Sequence, residues 1–497
     1  MITSCPFTPR LECFVGLVEW GMVDRLPLDA DLVARTPPEA LRLLARLLDR
    51  VAQLEVENRD LKARLGLNSS NSSKPPSTDP PNRKRKPPVP PSGRRRGGQP
   101  GHRRHDRPLV PPDQVDHVVE CRPSHCATCT APLAGTDAEP LRRQVAEIPP
   151  IRPHVTEYRL HMLTCRWCGT RTTGEPPPGT PAGAFGPRLS AMVGLLSGVY
   201  RLGKRPVRQL LADLFGLSIS TGMICKLQRR AAELLTPAYD ELCRHVRTRD
   251  VHLDETGWRE DKGRAWLWTV VAPLATVFRI ARSRGRDVVE QLLGLAFPKV
   301  ATCDRWKAYG HLKRIQWCWA HLRRDFQAMI DRGGPARPTG AALLDHSDHL
   351  FHWWHRVRDG TLSRATFRTY VGWLRSAVRD DLDRGTACGC AKTAATCRAL
   401  LAHERRLWTF VRHDGVEPTN NAAERAVRQG VLWRKTSGGT DSVTGSRFVE
   451  RILSVVATCR QQGRNVWDYL TDCHRAALAG HLAPSLLPTQ AAGRLVA

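Results

Sequence analysis

Residues 250–330 constrain the fold of this chain more than any other part of its sequence. Their apolar residues alternate as in strands in "VHLDE", "AWLWTVVAP" and "TVFRIAR", with Pro273 and Leu274 between the second and the third. A helix pattern follows in "DVVEQLLG", then a strand in "KVATCD", a short helix in "RWKAYGHL", a strand in "RIQWCW" and a helix in "AHLRRDFQAMI". This order of elements predicts an α/β domain built around one sheet.

The order strand-strand-strand-helix-strand-helix-strand-helix is that of a ribonuclease H-like core. We expect the core in two parts, residues 249–330 and 412–475, separated by a polar helical insertion at residues 331–411. Asp254 lies in the first strand and Asp304 at the end of the fourth, and these strands are neighbours in such a sheet. Glu424 lies in "PTNNAAERAVRQGVLWRK", which predicts a final helix packed beside both acids.

Three carboxylates at one point repel each other unless cations neutralise them, and hard oxygen ligands suit Mg²⁺ or Mn²⁺. Two such ions activate a water or a 3′-hydroxyl and stabilise the leaving oxygen of an in-line phosphoryl transfer. Each acid also has an ordinary interpretation. Asp254 fits a strand-end acid, Asp304 a turn residue, and Glu424 the partner of Asn421 in a helix capping box. Together, in this strand order, the three acids favour a two-metal site.

Two Cys-x-x-Cys pairs form the strongest local motif of the chain. They comprise Cys126, Cys129, Cys165 and Cys168. Four thiolates suit one tetrahedral Zn²⁺, and because they leave no open coordination position we expect a structural zinc ribbon at residues 111–178. Cys121 and His125 are alternatives for one ligand. Thr130 stands where such a turn usually has Gly, and the run "EIPPIRPHVTEYRLHMLT" between the pairs predicts strands.

Residues 180–248 read as helices. The stretch "RPVRQLLADLFGLSISTGMICKLQRRA" predicts a helix that ends near Phe215, a turn at Gly216 and a second helix capped by Ser220 or Thr221. A DNA-binding helix-turn-helix and an ordinary helical hairpin fit this pattern equally well.

The apolar residues of segment 39–66 follow an a/d heptad register. They are Leu44, Leu47, Val51, Leu54, Leu61 and Leu65, with Asn58 at an a position. An Asn at this position selects the register and favours a dimer, so we predict a coiled coil. The alternative is a single amphipathic helix packed on its own protein. Residues 67–110 read as a basic disordered linker, and residues 1–38 and 476–497 as terminal tails.

The charge of the chain points to a polyanionic partner. Lys and Arg number 76 against 48 Asp and Glu, which gives a formal net charge of +28. Each phosphate that is neutralised releases counterions, so this excess favours nucleic acid. The candidate contacts in the linker are Arg83, Lys84, Arg85, Lys86, Arg94, Arg95 and Arg96. Solvated charge is the alternative there. Arg425 and Arg428 are further candidates because the helix of Glu424 must face the substrate.

No stretch approaches the roughly 20 apolar residues that span a bilayer. The first 25 residues lack the pattern of a signal peptide, and Met22 opens a stretch that reads more naturally as a protein start. We therefore expect a cytoplasmic protein without a membrane partner. Its 16 cysteines are then thiols or metal ligands rather than disulfides.

Several ordered segments resemble the insertion-sequence sixty-six family of DDE transposases, from about Pro38 onward. They are "RLGLNSSNSSKPPSTD", the two Cys-x-x-Cys pairs, "HLDETGW", "CDRWKAYGHL", "CWAHLRRDF" and "TNNAAERAVR". The resemblance implies a bacterial, nucleoid-associated enzyme that cuts double-stranded DNA at element ends and joins them to a target. Its triad carries over to Asp254, Asp304 and Glu424. We expect a homodimer or a larger synaptic complex, and helper proteins are further candidate partners.

Two other functions fit part of the sequence. A non-catalytic regulator would use the zinc ribbon and the helix-turn-helix, but it leaves the three acids unexplained. A nuclease that cleaves without joining would share the active site. In "CWAHLRRDF", His321, Arg323 and Arg324 fit either a DNA contact or ordinary packing. For Trp258, Trp306 and Trp319, core packing is favoured over stacking on bases.

Overall fold

The computed structural model describes residues 35–65, 67–72, 101–102 and 107–487. The seven predicted contacts between Arg83 and Arg96 lie outside these residues, as do most of the two predicted tails. The chain forms two compact units. The first comprises Met1–Pro81, Asp240–Asp441 and Thr489–Ala497, and the second comprises Asn82–Tyr239 and Ser442–Pro488.

The strands and helices are numbered in chain order. The strands are β1 (Met162–Thr164), β2 (Arg171–Thr173), β3 (Val251–Glu260), β4 (Gly263–Ala272), β5 (Ala275–Ala281), β6 (Ala301–Cys303) and β7 (Ile315–Trp317). The helices are α1 (Pro38–Leu65), α2 (Pro187–Gly198), α3 (Lys204–Phe215), α4 (Thr221–Leu234), α5 (Thr236–Val246), α6 (Arg286–Leu293), α7 (Trp319–Arg332), α8 (Ala336–Arg358), α9 (Arg364–Thr386), α10 (Ala391–Ala402), α11 (Thr409–Arg412), α12 (Asn421–Ser437), α13 (Val443–Gln461) and α14 (Val466–Leu478). This is a mixed α/β protein.

A five-stranded mixed sheet organises the first unit. Its strand order is β5-β4-β3-β6-β7. The pairs β3–β4 and β4–β5 are antiparallel, whereas β3–β6 and β6–β7 are parallel. Most residues of β4 and β5 are buried, because helices cover the sheet. The order of strands and helices predicted for residues 250–330 is confirmed. The short helix predicted in "RWKAYGHL" is a 3₁₀ turn at Lys307–Tyr309.

Three helices, α8, α9 and α10, follow α7 and form the predicted helical segment between the two parts of the sheet unit. The chain then returns to the sheet through α12, which packs along β3 and β4. Gly430 of α12 makes this approach close, because a Cβ there would lie 2.0 Å from Leu267 Cδ2. A larger residue there would force the Leu267 side chain or α12 to shift.

The second unit contains a helical bundle of α2, α3, α4, α13 and α14. Its core includes Val193, Leu196, Val207, Leu211, Ile219, Ile224 and Leu227. As predicted, α3 ends at Phe215, and Gly216 takes a left-handed conformation with φ 64°. The Ser220 side chain caps α4 by accepting a hydrogen bond from Met223 N at 3.1 Å.

Three parts of the chain differ from the sequence-based expectation. First, α13 and α14 fall within 412–475, expected in the core, but they pack in the second unit. A Cβ at Gly198 of α2 would lie 2.2 Å from Ile452 Cγ1 of α13, which shows how closely these helices meet. Second, residues 482–487 are not a loose tail, because Leu486 is fully buried and Tyr469 Oη donates to Pro484 O at 2.8 Å.

Third, the linker begins with an anchored turn. Asn71 is only 7% exposed, and its Nδ2 donates to Asp331 Oδ2 of α7 at 2.8 Å. Asn68 N donates to Asn71 Oδ1 at 2.7 Å, which closes the turn on itself. The bond to Asp331 fixes residues 68–72 to the first unit. Within the turn, short Asn and Ser side chains satisfy the backbone hydrogen-bonding groups. None of the described helices has the length and apolar character needed to cross a membrane.

Candidate active site

Two of the predicted acids lie at the same level on neighbouring parallel strands. The register of β3 and β6 pairs Val251 with Ala301 and His252 with Thr302. Asp254 and Asp304 each follow two residues after the second pair, so both stand just beyond the paired region. Asp254 Oδ1 accepts a hydrogen bond from Glu255 N at 2.9 Å, and Asp304 Oδ1 accepts one from Trp306 N at 2.8 Å. The two carboxylates thus converge at one end of β6.

Glu424 reaches the same place from the first turn of α12. The start of this helix is fixed by the fully buried Asn420, whose Nδ2 donates to Leu253 O at 2.6 Å. Asn420 also donates through its backbone N to Cys318 Sγ at 3.1 Å. The N-cap of α12 is therefore Asn420, and it makes no side-chain cap bond. The capping-box interpretation of Glu424 with Asn421 is wrong, because the cap position lies one residue earlier.

The pKa of Asp254 reflects the proximity of the other carboxylates. Burial raises the pKa of Asp254 well above its usual value, and the Glu255, Asp304 and Glu424 carboxylates raise it further. Desolvation and like charge act in the same direction here, because both disfavour the ionised form. The structure therefore brings the three sequence-predicted acids together and adds a fourth, Glu255, that the sequence analysis did not single out.

Glu255 is held by its own set of donors. Its side chain is 2% exposed, and Arg284 contacts it through Nε at 2.9 Å and Nη2 at 2.7 Å. Tyr309 Oη also donates to it. Burial raises the pKa of Glu255, and so does Asp304, whereas the bonds from Tyr309 and Arg284 lower it. Arg284 Cζ lies 3.9 Å above the ring of Trp306, which ties the loop after Asp304 to β3.

We expect Arg284→Met to lower the free energy of unfolding by about 3 kcal/mol, because it leaves the Glu255 carboxylate buried without its cation. The value is at the low end for a broken buried pair, since Arg284 is 33% exposed and Tyr309 still donates. Urea unfolding measures the change. The matched control is Arg286→Met, which breaks a surface i,i+4 pair with Glu290 and should cost no more than about 0.5 kcal/mol. Equal losses in both variants would contradict the role given to Arg284.

A cluster on α7 flanks Glu424. His321 Nδ1 lies 3.5 Å from Glu424 Oε1, and Arg324 Nη2 lies 4.0 Å from Glu424 Oε2. The potential ligand atoms of Cys318, His321 and Glu424 lie within 4.8 Å of one another. Burial raises the pKa of Cys318 to about 11, so this side chain is a thiol. Burial also lowers the pKa of His321, although the Glu424 carboxylate opposes the shift.

The remaining sequence candidates separate into exposed and packed residues. Arg425 and Arg428 are exposed on α12, on the helix that carries Glu424. Arg323 instead points to α8, where its Nη1 lies 2.6 Å from Asp348 Oδ1 and 2.6 Å from Ser347 Oγ. Trp258 and Trp319 are buried, as favoured from the sequence.

The two Cys-x-x-Cys pairs form turns with the same hydrogen bonds. Cys126 N donates to Ala131 O at 2.9 Å and Thr130 N to Cys126 O at 3.0 Å. In the second turn Cys165 N donates to Thr170 O at 2.9 Å and Gly169 N to Cys165 O at 3.0 Å. The equivalent residues Thr130 and Gly169 are both left-handed, with φ 59° and 71°. Thr130 therefore occupies the position where Gly is favoured.

Each pair of thiols is held together within its turn. Hydrogen bonds from Cys129 and Thr128 lower the pKa of Cys126, and those from Thr170 and Cys165 lower the pKa of Cys168 to about 7. The long run between the pairs forms only β1, which pairs with β2 after the second pair. No residue between 107 and 178, all of which the structure describes, is buried.

Comparison with known proteins places the chain in a family. Residues 182–447 match the family model described as the IS66 family of transposases. This match covers more than half of the chain, and the chain belongs to this family of DNA-transposing proteins. Residues 25–108 match a second model, a family of unknown function called DUF6444.

Two curated relatives come from Sinorhizobium fredii. The uncharacterized protein y4qI is 26% identical over 233 residues, which are 42% of this chain and 43% of the relative. The chain thus spans less than half of that relative in the matched region. The uncharacterized protein y4hP is 24% identical over 422 residues, which are 74% of each chain.

Proposed function

We propose that this transposase cuts the ends of an insertion element and joins them to target DNA by phosphoryl transfer at Asp254, Asp304 and Glu424. The observation that carries the proposal is the convergence of these three acids, recorded in the raised pKa of Asp254. An ordinary fold avoids such crowding of carboxylates, because each one raises the cost of ionising the next. Perturbed carboxylates in one place are typical of catalytic sites.

The sheet supports a ribonuclease H-like core. In the order β5-β4-β3-β6-β7 the first three strands are antiparallel, and β6 and β7 continue parallel to β3. The sequence pattern predicted that β3 and β6 are neighbours. Asp254 stands on the central strand and Asp304 follows its parallel neighbour. The acids thus belong to the rigid part of the unit, where a catalytic geometry is held best.

The residues fit two divalent cations, Mg²⁺ or Mn²⁺. Glu424 Oε1 is buried and accepts no hydrogen bond from any described residue, since His321 Nδ1 lies 3.5 Å away without forming one. Burial lowers the pKa of His321, which disfavours a positive charge on this neighbour. Together with the mutual repulsion of the acids, this oxygen without a hydrogen bond supports a bound cation. When bound, two such ions activate the attacking oxygen and stabilise the leaving one.

The protein's own contribution is to position the acids and the DNA. Asn420 fixes the start of α12, and Gly430 lets the helix lie close to the sheet, so that Glu424 faces Asp254. Arg425 and Arg428 project from the same helix and would contact phosphates of the bound strand. His321 and Arg324 flank Glu424 from α7 and would hold its orientation.

We further propose that Cys126, Cys129, Cys165 and Cys168 hold one structural Zn²⁺. Their two turns share one hydrogen-bond pattern, and this symmetry is typical of paired zinc-binding turns. The helices α3 and α4, joined at Gly216, would act as a DNA-binding helix-turn-helix.

Self-association is proposed to involve the heptad face of α1. Its a/d side chains, from Leu44 at 38% to Leu65 at 81% exposed, are open to solvent. A second copy would cover this apolar stripe. We expect Leu54→Glu to weaken dimerisation at least about tenfold and to reduce strand transfer while binding to one element end persists. Light scattering with element-end DNA measures the assembly.

The matched control for this helix is Gln53→Glu, which adds the same charge one residue away from the seam. If Leu54→Glu assembles like the parent, the dimer is made elsewhere in the chain.

The decisive test of the function supplies labelled element ends together with a target plasmid. A transposase yields joined products, a nuclease yields only cut ends, and a regulator yields only a bound complex. Joined products that require a divalent cation would support the proposal, and binding alone would contradict it.

A further inference from the structure

A cavity of about 370 Å³ opens in the second unit between the start of α2, one face of α4 and the end of α14. Lys226, Arg229 and Arg230 line it from α4. Their spacing of three and four residues places them on one side of the helix. Glu233 is the single acid among the lining residues, all of which the structure describes. The cavity therefore carries an excess of positive charge.

These three cations lack ion-pair partners. No carboxylate within the described part of the chain pairs with Lys226, Arg229 or Arg230. Elsewhere in the same bundle, exposed cations do find acids, as Arg188 does with Asp468 at 3.7 Å. Three neighbouring positive charges repel each other, so an anion in the cavity would stabilise the arrangement.

Two buried polar side chains also face the cavity without partners. Ser190 of α2 is 5% exposed and His474 of α14 is 7% exposed. Neither side chain makes a hydrogen bond to any residue that the structure describes. Both residues are otherwise buried, so the hydroxyl and the imidazole that they present to the cavity are available to a bound ligand.

The start of α2 adds the positive end of a helix dipole. The helix runs for 12 residues, its N-cap Gly186 provides no side-chain cap, and its first turn contains no acid. Of this helix, Pro187 and Ser190 line the cavity. Pro187 has no N–H and Ser190 N donates to Gly186 O, so α2 contributes its Ser190 hydroxyl and the positive end of its dipole. Donors therefore approach the cavity from α2, α4 and α14.

We propose that this cavity binds a phosphate group. Three cations, a hydroxyl and an imidazole supply more donors than a carboxylate can accept, but they suit a tetrahedral, multiply charged oxyanion. The volume fits a phosphate with an attached sugar and lies at the small end of ligand pockets. The phosphate belongs to the DNA backbone, because α4 is the second helix of the helix-turn-helix. That assignment rests on the proposed function.

The test is a titration of the full chain with inorganic phosphate at constant ionic strength, with chloride as the balancing anion. Histidine labelled with ¹⁵N reports binding through the His474 imidazole, whose signals are assigned with His474→Gln. We expect saturable shifts, and we expect Lys226→Gln and Arg230→Gln each to raise the dissociation constant at least about tenfold. Both positions are solvent-exposed, so neither change should disturb folding.

Two matched variants give opposite or null results. Glu233→Gln removes the acid from the rim and should tighten phosphate binding. Arg208→Gln removes an exposed cation of α3 outside the cavity and should leave binding unchanged. Absence of a saturable His474 shift in the parent would overturn the proposal, and so would a shift that Lys226→Gln and Arg230→Gln leave intact.

A duplex oligonucleotide then identifies the source of the phosphate. If the duplex displaces inorganic phosphate, the cavity holds a backbone phosphate of DNA. If phosphate remains bound beside the duplex, the cavity takes a free phosphoryl ligand, and the assignment to DNA is overturned while the site stands. The titration requires no cleavage, so a chain without transposase activity would still report on this cavity.

Discussion

Asp254→Asn, Asp304→Asn and Glu424→Gln are each expected to slow strand cleavage at least about a thousandfold, while DNA binding stays measurable. Each change replaces a charged ligand with a neutral amide of nearly the same shape. The loss corresponds to about 4 kcal/mol of transition-state stabilisation. Cleavage of labelled element ends in Mg²⁺ measures the rate, and a gel-shift assay measures binding.

The Asp254→Asn variant should also change the stability of the fold. The raised pKa of Asp254 means that the folded protein opposes its ionisation, so this carboxylate destabilises the fold at neutral pH. Asp254→Asn should therefore raise the melting temperature in the absence of metal while it abolishes cleavage. Mg²⁺ should stabilise the parent by binding to the folded state, and it should stabilise the variant much less.

Glu290→Gln is the matched control, because it removes a carboxylate from the surface pair with Arg286 on α6. Both its cleavage rate and its response to Mg²⁺ should equal those of the parent. Retained cleavage in any one of the three variants would remove that residue from the triad. A melting temperature of Asp254→Asn below that of the parent would show that the carboxylates are not crowded in the folded protein.

The strands and the acids on them were accessible from the sequence for a physical reason. Period-two alternation in β3, β4 and β5 reflects the pleat itself, and a run of buried strands leaves few sheet orders open. Once the order was set, Asp254 and Asp304 had to lie on adjacent strands. The helix of Glu424 was also predicted. It is 17 residues long in the structure, and a long helix has a clear periodic pattern in the sequence.

The sequence did not show in which unit α13 and α14 pack. Helical periodicity shows that one face is apolar, but it does not show which core that face joins. The close contact of Gly198 with Ile452 joins residues that are far apart in the sequence, and no local signal encodes it. The anchored turn at Asn71 was missed because its Ser- and Asn-rich composition also describes a flexible linker.

The supports of the active site were missed for a similar reason. Glu255 follows Asp254 directly, so the sequence shows a second acid at the site, but its partners lie 29 and 54 residues away. Asn420 appeared as part of a helix start, yet it reaches Leu253 across 167 residues. Candidate catalytic residues can be recognised from their residue type and from the helix or strand on which they lie. The residues that position them can be recognised only from tertiary contacts.

Chelation of zinc is expected to unfold residues 111–178, while the sheet of the first unit and the helical bundle of the second unit remain folded. No residue from 107 to 178 is buried, so this segment has no apolar core that could hold its turns together. A tetrahedral Zn–thiolate site contributes folding free energy directly, and it is worth roughly 10 kcal/mol or more in small zinc-binding peptides. We therefore expect one zinc per chain, and EDTA should open this segment to limited proteolysis.

Cys126→Ser and Cys165→Ser should each release the metal and give the same cleavage pattern as EDTA, because a site that loses one of four thiolates loses most of its affinity. Cys121→Ser is the matched control. Cys121 is an exposed cysteine of the same segment, and its loss should leave one zinc bound. Metal analysis of the full chain decides between the ligand sets. If Cys121→Ser releases zinc and Cys126→Ser does not, the first turn binds through a different thiolate. If the parent holds no zinc and still resists proteolysis at residues 111–178, the two turns are stabilised without a metal.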